Sequence, residues 1–172
     1  MKKATLVFEK HELVLDVKQR AFAIARSAAV KSDAPDKDDH WLMDIANADE
    51  LPREISGRIM NKAYLEAYFK VSPIAAEEES GDYVESDRYV EVSNYTMHLS
   101  VSDEAQSWKI RGLHDLIHEY IVYKTLLMWC ELVARDYLDV LAVRTGEIEK
   151  QINTALKPLQ GEGGERPYFP FG

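Results

Sequence analysis

Residues 113–133 have the sequence LHDLIHEYIVYKTLLMWCELV, which is apolar nearly all round when drawn on a helical wheel. A helix of that kind is normally covered on several sides, either by its own chain or by other subunits. We therefore predict that this segment is the central core helix. Its predicted core positions are Leu113, Leu116, Tyr120, Leu127 and Cys130.

The helical pattern extends beyond this segment in both directions. It begins after Ser102, a good N-cap residue, and continues to about residue 156. The part after residue 136 has a single apolar stripe with a charged opposite face, which predicts an amphipathic surface helix. The pattern leaves open whether the helix breaks near residues 134–136. Pro158 is expected to end it, because proline lacks a backbone N–H donor.

A different periodicity precedes Ser102. Tyr95, Met97, Leu99 and Val101 alternate with more polar residues, the spacing of a half-buried strand. We predict a small antiparallel hairpin over residues 89–101, with Ser93-Asn94 at its turn. The β-branched, apolar residues 4–8 (ATLVF) are a further strand candidate for this sheet.

Three more helical patterns lie in the first half of the chain. The first has Val14, Val17, Ala21, Ile24 and Ala28 on one face. A short one through residues 40–48 follows an Asp38 or Asp39 cap, and a third begins near Pro52 and ends by Ser72-Pro73. Its apolar positions are Ile55, Ile59, Ala63 and Ala67.

These patterns together predict a mainly α protein with a small antiparallel β element. The expected architecture is a bundle of about five helices plus the hairpin, with an extended C-terminal tail. Residues 1–157 form one domain, since 172 residues are hardly enough for two. Residues 158–172 form a flexible spacer and a tail.

Composition excludes several classes of function. The net charge of −9 argues against nonspecific duplex binding, which needs Lys and Arg on phosphates, but it is compatible with a protein partner that has a basic face. Cys130 is the only cysteine, so no internal disulfide forms, and its apolar neighbours predict a buried structural thiol. No apolar run approaches the roughly 18 residues that span a bilayer. We expect an intracellular protein without a membrane or a nucleic-acid partner.

The main candidate for chemistry is the segment HDLIHE, residues 114–119. A helix places His114 and His118 on one face, about 5–6 Å apart at Cβ, where they could chelate one ion. A third ligand is missing from the pattern, and Asp115 stands where the zinc-protease motif has glutamate. The simpler interpretation is that both histidines line the wetter side of a packed helix. We therefore predict neither a metal nor another cofactor.

The C-terminal segment RPYFPFG follows a flexible GEGGE spacer and is predicted to be a protein interface. Prolines keep such a segment extended, and aromatic rings offer large apolar areas to a groove. The predicted interface residues are Arg166, Pro167, Tyr168, Phe169, Pro170 and Phe171.

Residues 116–124 (LIHEYIVYK), with the following LLMW, resemble the C-terminal half of a family of uncharacterised prophage proteins from gut bacteria. The opening ATLVFEKHELVLDV and residues 38–45 (DDHWLMDI) are similar to the N-terminal half of the same family. The central acidic segment and the aromatic tail depart from the family pattern.

The resemblance implies a non-catalytic virion protein of a tailed phage, a head–tail connector, neck or tail component. It would form a homo-oligomer, as a ring, and contact other virion proteins. It would be found in the host cytoplasm during assembly and then in the virion. Two alternatives stay open: a small metal-dependent helical enzyme that uses His114 and His118, and a monomeric adaptor or regulatory protein.

Overall fold

The computed structural model describes residues 1–31, 45, 54–76, 92–133 and 137–160. These residues form a mainly helical protein with a small antiparallel sheet, which confirms the predicted class. The elements are β1 (Lys2–Glu9), α1 (Lys10–Lys31), α2 (Met60–Val71), β2 (Asn94–Val101), α3 (Ser107–Val133) and α4 (Leu138–Gln160). A π-helical turn (Glu54–Ile59) precedes α2, and a 3-10 turn (Ser72–Ile74) follows it. The described part therefore has four α-helices rather than about five.

The sheet pairs the two strands that precede α1 and α3. β1 and β2 are antiparallel, from Lys2 opposite Val101 to Glu9 opposite Asn94. The alternating apolar residues of β2 are all buried, as predicted. Residues 4–8 thus join the sheet of β2, as predicted. The hairpin predicted over residues 89–101 is described only from residue 92 onward. Residues 89–91, the expected first arm, lie outside the described residues.

The second edge of β2 is partly occupied as well. Ala75 forms an isolated antiparallel bridge with Leu99. The Ala76 N–H donates to the His98 carbonyl at 2.9 Å. The segment after α2 thus contacts β2 on the side opposite to β1, and this contact links α2 to the sheet.

Helix α3 lies at the centre of the molecule. Leu113, Tyr120 and Cys130 are at most 1% exposed, and Leu127 is also buried. Leu116 differs from the prediction, since it is only half-buried and packs at the edge of the core. The other three helices and β1 all contact α3, so its own chain covers its apolar sides.

Contacts between side chains give the directions of the helices. Asp16 meets His118 and, one turn later, Arg20 meets Tyr123, so α1 runs parallel to α3. Helix α4 packs along α3 and begins only five residues after α3 ends. The Leu159 carbonyl at the end of α4 accepts the N–H of Ser102, just before α3, so the two helices run antiparallel and the long helical pattern forms two separate helices.

Two predicted helix ends are wrong. Helix α3 begins at Ser107 and not after Ser102, because Ser102 belongs to a turn in which its carbonyl accepts the Ala105 N–H at 2.9 Å. Helix α4 continues through Pro158 to Gln160. A proline in the last turn removes a single hydrogen bond, while Leu159 is fully buried and its carbonyl accepts the Ser102 N–H at 2.9 Å.

The other helices follow their predicted stripes. Val17 and Ala21 of α1 are buried, and the third pattern buries all four of its apolar positions before α2 ends at Val71. Of the predicted helix over residues 40–48, the described part contains only Ile45, which is helical and buried. The side chain of Ala28 lies outside what the structure describes.

The spacer and tail also lie outside the described residues from residue 161 onward. This part includes the whole predicted interface: Arg166, Pro167, Tyr168, Phe169, Pro170 and Phe171. None of the helices described here has the length and apolar character needed to cross a bilayer.

Candidate functional site

His114 joins α3 to the end of β1. Its Nε2 lies 2.9 Å from the carbonyl oxygen of Val7. Its ring stacks on Phe8, with centroids 4.6 Å apart and planes 2° from parallel. Because a carbonyl only accepts, the Nε2 of His114 must carry a proton and donate. Its Nδ1 lies 3.3 Å from a carboxylate oxygen of Asp115. His114 therefore binds the N-terminal strand by a ring contact and a hydrogen bond.

His118 makes the corresponding contact to α1. Its Nε2 lies 2.8 Å from Oδ2 of Asp16, and its side chain is 17% exposed. The rings of His118 and His114 are 6.4 Å apart between centroids and tilted by 37°. The two histidines face the same side of α3, as the spacing predicted, but each Nε2 is already bonded to a protein acceptor.

An open cleft of about 390 Å³ lies between α1 and α3 beside these histidines. The lining residues are Glu12, Asp16 and Arg20 from α1, and His114, Asp115, His118, Glu119 and Val122 from α3. Four of them are carboxylates, against one arginine and two histidines. The cleft is thus polar and mainly acidic.

Part of this negative charge is neutralised inside the molecule. Asp16 has its partner in His118. Glu119 accepts a hydrogen bond from Arg144 of α4 at 2.8 Å. This hydrogen bond is the main reason that the pKa of Arg144 is raised, and Glu147 contributes to the rise as a second acceptor.

The ring of Tyr123 on α3 contacts an arginine from each of two neighbouring helices. The guanidinium groups of Arg20 and Arg144 each lie 5.7 Å from the centroid of the Tyr123 ring. Cations over a ring face are attracted by its quadrupole. Tyr123 therefore links α1 to α4 across α3.

The arrangement is poorly suited to metal binding by the histidine pair. An ion at His114 and His118 would need at least one further ligand, and no third histidine, cysteine or carboxylate atom of the described residues is grouped with this pair. Among the described residues, the one set of three potential ligands with atoms within 4.8 Å of one another is Glu9, His11 and Glu12. All three are exposed, and His11 Nδ1 is already 3.2 Å from Glu9.

The same cleft offers little for covalent catalysis. The contact between His118 and Asp16 orients an imidazole, which is one part of an acid–base site. No serine, threonine or cysteine is among the described residues that line the cleft. Cys130 is on the same helix but is fully buried. The geometry thus favours a packing and recognition role for the histidines.

The sequence found half of this site. It placed His114, Asp115, His118 and Glu119 on the wetter side of α3, which the structure confirms. It missed Glu12, Asp16 and Arg20, whose spacing of four residues puts them on one face of α1. This spacing is visible in the sequence, but it does not indicate which other helix these three side chains face.

Comparison of the chain with protein-family models, with curated proteins and with solved structures gives no match.

Proposed function

We propose that the protein is a non-catalytic structural component of a tailed-phage particle, a head–tail connector, neck or tail protein. It acts by assembling with itself, as a ring, and by contacting other particle proteins. It is made in the cytoplasm of the bacterial host and then incorporated into the virion. The resemblance of the α3 segment to prophage proteins supports the phage assignment.

The observation that carries the assembly role is the set of large apolar side chains left outside a well-filled core. Those of α1 to α4 that are more than two-fifths exposed are Leu15, Phe22, Phe69, Trp108, Leu132, Val140 and Val143. Single exposed apolar residues are ordinary, but groups at helical spacing mark interaction surfaces. Val140 and Val143, each more than 60% exposed and three residues apart, form one such group at the start of α4.

The histidine contacts support the non-catalytic part of the proposal. His114 and His118 each hold a different part of the N-terminal unit, β1 and α1. This accounts for both side chains by packing alone. The role in assembly then needs no chemical step.

The mass of the protein in solution tests the proposal. Light scattering and sedimentation across the micromolar range should show an oligomer of defined mass. The double substitution Val140→Ser and Val143→Ser should shift the mass toward the monomer without changing the melting temperature, because both side chains are exposed.

A matched control uses two exposed polar residues at the same spacing on α4. Lys150→Ser with Asn153→Ser should leave the oligomer intact. A wild-type chain that stays monomeric at every concentration would refute self-assembly and favour the adaptor alternative.

A further inference from the structure

The outer side of α1 has an apolar row that nothing in the described structure covers. Leu15 is 53% exposed and Phe22 is 43% exposed. They are seven residues apart, so they lie on the same side of the helix. The buried residues Leu13, Val17 and Ala21 point to the opposite side, toward α3.

The row of cleft residues on α1 lies between this apolar row and the buried row. At 100° per residue, Glu12 is about 60–80° from Leu15 and Phe22, Asp16 is about 100–120° away, and Arg20 is about 140–160° away, close to the buried row. Moving outward from the core, a partner would meet the polar cleft and then the apolar row. These features form one continuous surface, which we call the α1–α3 face.

Carboxylates stand at the mouth of the cleft on both of its walls. Asp16 and Glu119 already have partners, in His118 and Arg144. Glu12 is exposed on the α1 wall. The Asp115 side chain on the α3 wall is 73% exposed, and its contact is with the neighbouring His114. A lysine or arginine side chain that entered here would meet one carboxylate from each wall.

We propose that the α1–α3 face binds a segment of a different protein in which a lysine or arginine lies next to a large apolar residue. The basic side chain enters between Glu12 and Asp115, and the apolar residue covers Leu15 and Phe22. Charge complementarity selects this occupant, because a basic segment complements the exposed carboxylates of this face, on a chain of net charge −9, better than a second acidic copy does. The inference rests on the proposed assembly function, because it gives the chemistry of one particle protein that this chain would contact.

Peptide binding to the full chain tests the inference. The probes are two short amphipathic peptides of identical apolar pattern, one of leucine and lysine and one of leucine and glutamate, followed by fluorescence anisotropy at physiological salt. The lysine peptide should bind and the glutamate peptide should not. Glu12→Gln with Asp115→Asn, and separately Leu15→Ser with Phe22→Ser, should each weaken binding of the lysine peptide by about tenfold or more.

The control removes the same two charges elsewhere. Glu131→Gln with Asp139→Asn changes two exposed acids, one near the end of α3 and one at the start of α4. This variant should bind the lysine peptide within about twofold of the wild-type affinity. Equal weakening by this pair, or equal binding of the two peptides, would overturn the inference. So would a Leu15→Ser, Phe22→Ser protein whose only change is a lower oligomeric mass, since the occupant would then be a second copy.

The outcomes separate this inference from the proposed function. A monomeric chain that still binds the lysine peptide at the α1–α3 face refutes self-assembly alone. A chain that assembles through Val140 and Val143 but does not discriminate between the peptides refutes the partner assignment alone.

Discussion

At the scale of single residues, the two histidines of HDLIHE act as connectors between helices. His114 donates to the carbonyl of Val7 and stacks on Phe8, while His118 meets Asp16 one turn later. The spacing of four residues, which suggested that both rings chelate one ion, instead lets His114 contact β1 and His118 contact α1. The pair also lacks a third ligand, because no other histidine, cysteine or carboxylate atom of the described residues is grouped with these two side chains.

We expect His114 and His118 to bind no transition metal. Protein purified without a histidine tag and titrated with zinc should show no stoichiometric site at this pair by calorimetry, because the described residues offer the pair no third ligand. A His11→Ala variant is the control that removes any weak binding at the exposed group of Glu9, His11 and Glu12. One equivalent of zinc that disappears in His118→Ala, together with an activity, would establish the enzyme alternative.

Two buried tyrosines determine the response to alkaline pH. Burial raises the pKa of Tyr95, and the neighbouring Tyr64 raises it further. Burial also raises the pKa of Tyr120, with added contributions from Glu66 and Glu149. Both hydroxyls therefore keep their protons in the folded chain at a pH where an unfolded tyrosine, with a pKa near 10, has lost its own.

The free energy of unfolding should fall as the pH rises above about 10, because above that pH the unfolded state binds fewer protons than the folded state. Below about pH 10 these tyrosines are protonated in both states and should not change the free energy of unfolding. Urea unfolding of wild type and of Tyr120→Phe from about pH 8 to about pH 11 measures this, and the variant should show the shallower fall. Parallel curves for the two proteins would show that Tyr120 makes no contribution.

At the scale of elements, α3 is unusual because its surroundings change along its length. Near its N-terminal end His114 and His118 contact β1 and α1, and farther along Lys124 pairs with Glu66 of α2 at 2.9 Å. Toward its C-terminal end an exposed apolar residue appears, with Leu132 at 66% exposure. One helix thus supplies both core and surface leucines, which can be compared directly.

We expect Leu127→Ala to destabilise the protein by about 2–5 kcal/mol, because it removes a buried side chain and leaves a cavity. Leu132→Ala, the same change on the exposed side of the same helix, should alter the free energy of unfolding by no more than about 0.5 kcal/mol. Chemical denaturation of both variants measures the contrast. Similar losses for the two leucines would mean that the core position of Leu127 is wrong.

At the scale of the whole molecule, the central helix is covered within one chain, so self-association is not needed to bury α3. What self-association can still bury is the set of apolar residues outside the core and the C-terminal tail. The tail has three aromatic residues and two prolines in its last seven positions. Such a segment would gain by docking onto a neighbouring subunit or a partner.

Deletion of residues 161–172 should therefore leave the domain folded but weaken assembly. The melting temperature should change little, because the described core is complete without this segment, whereas the sedimenting mass should fall toward the monomer. If the truncated chain is a monomer and melts at a much lower temperature than the full chain, the tail packs in the core of its own domain. Unchanged assembly would show that the tail has no part in it.

Much of the fold could be predicted because burial follows local periodicity. The alternation from Tyr95 to Val101 and the all-round apolarity of residues 113–133 both reflect how many sides of an element are covered. The structure buries all four apolar residues of the alternation and four of the five predicted core positions of α3, Leu116 being half-buried. Helix ends were less predictable. Pro158 remains inside α4 because the buried Leu159 and the Ser102 N–H, from a distant part of the chain, stabilise the last turn.

The sequence by itself determined the helical class, the buried faces and the placement of both histidines on the wetter side of α3. Only the tertiary structure decided the register in which β1 pairs with β2, that the long helical pattern folds back on itself, and that Glu12, Asp16 and Arg20 complete the cleft. The physical reason is that periodicity reports how much of an element is covered but not by which element. Pairing between distant segments depends on the packing of the whole core, which no local pattern of residues encodes.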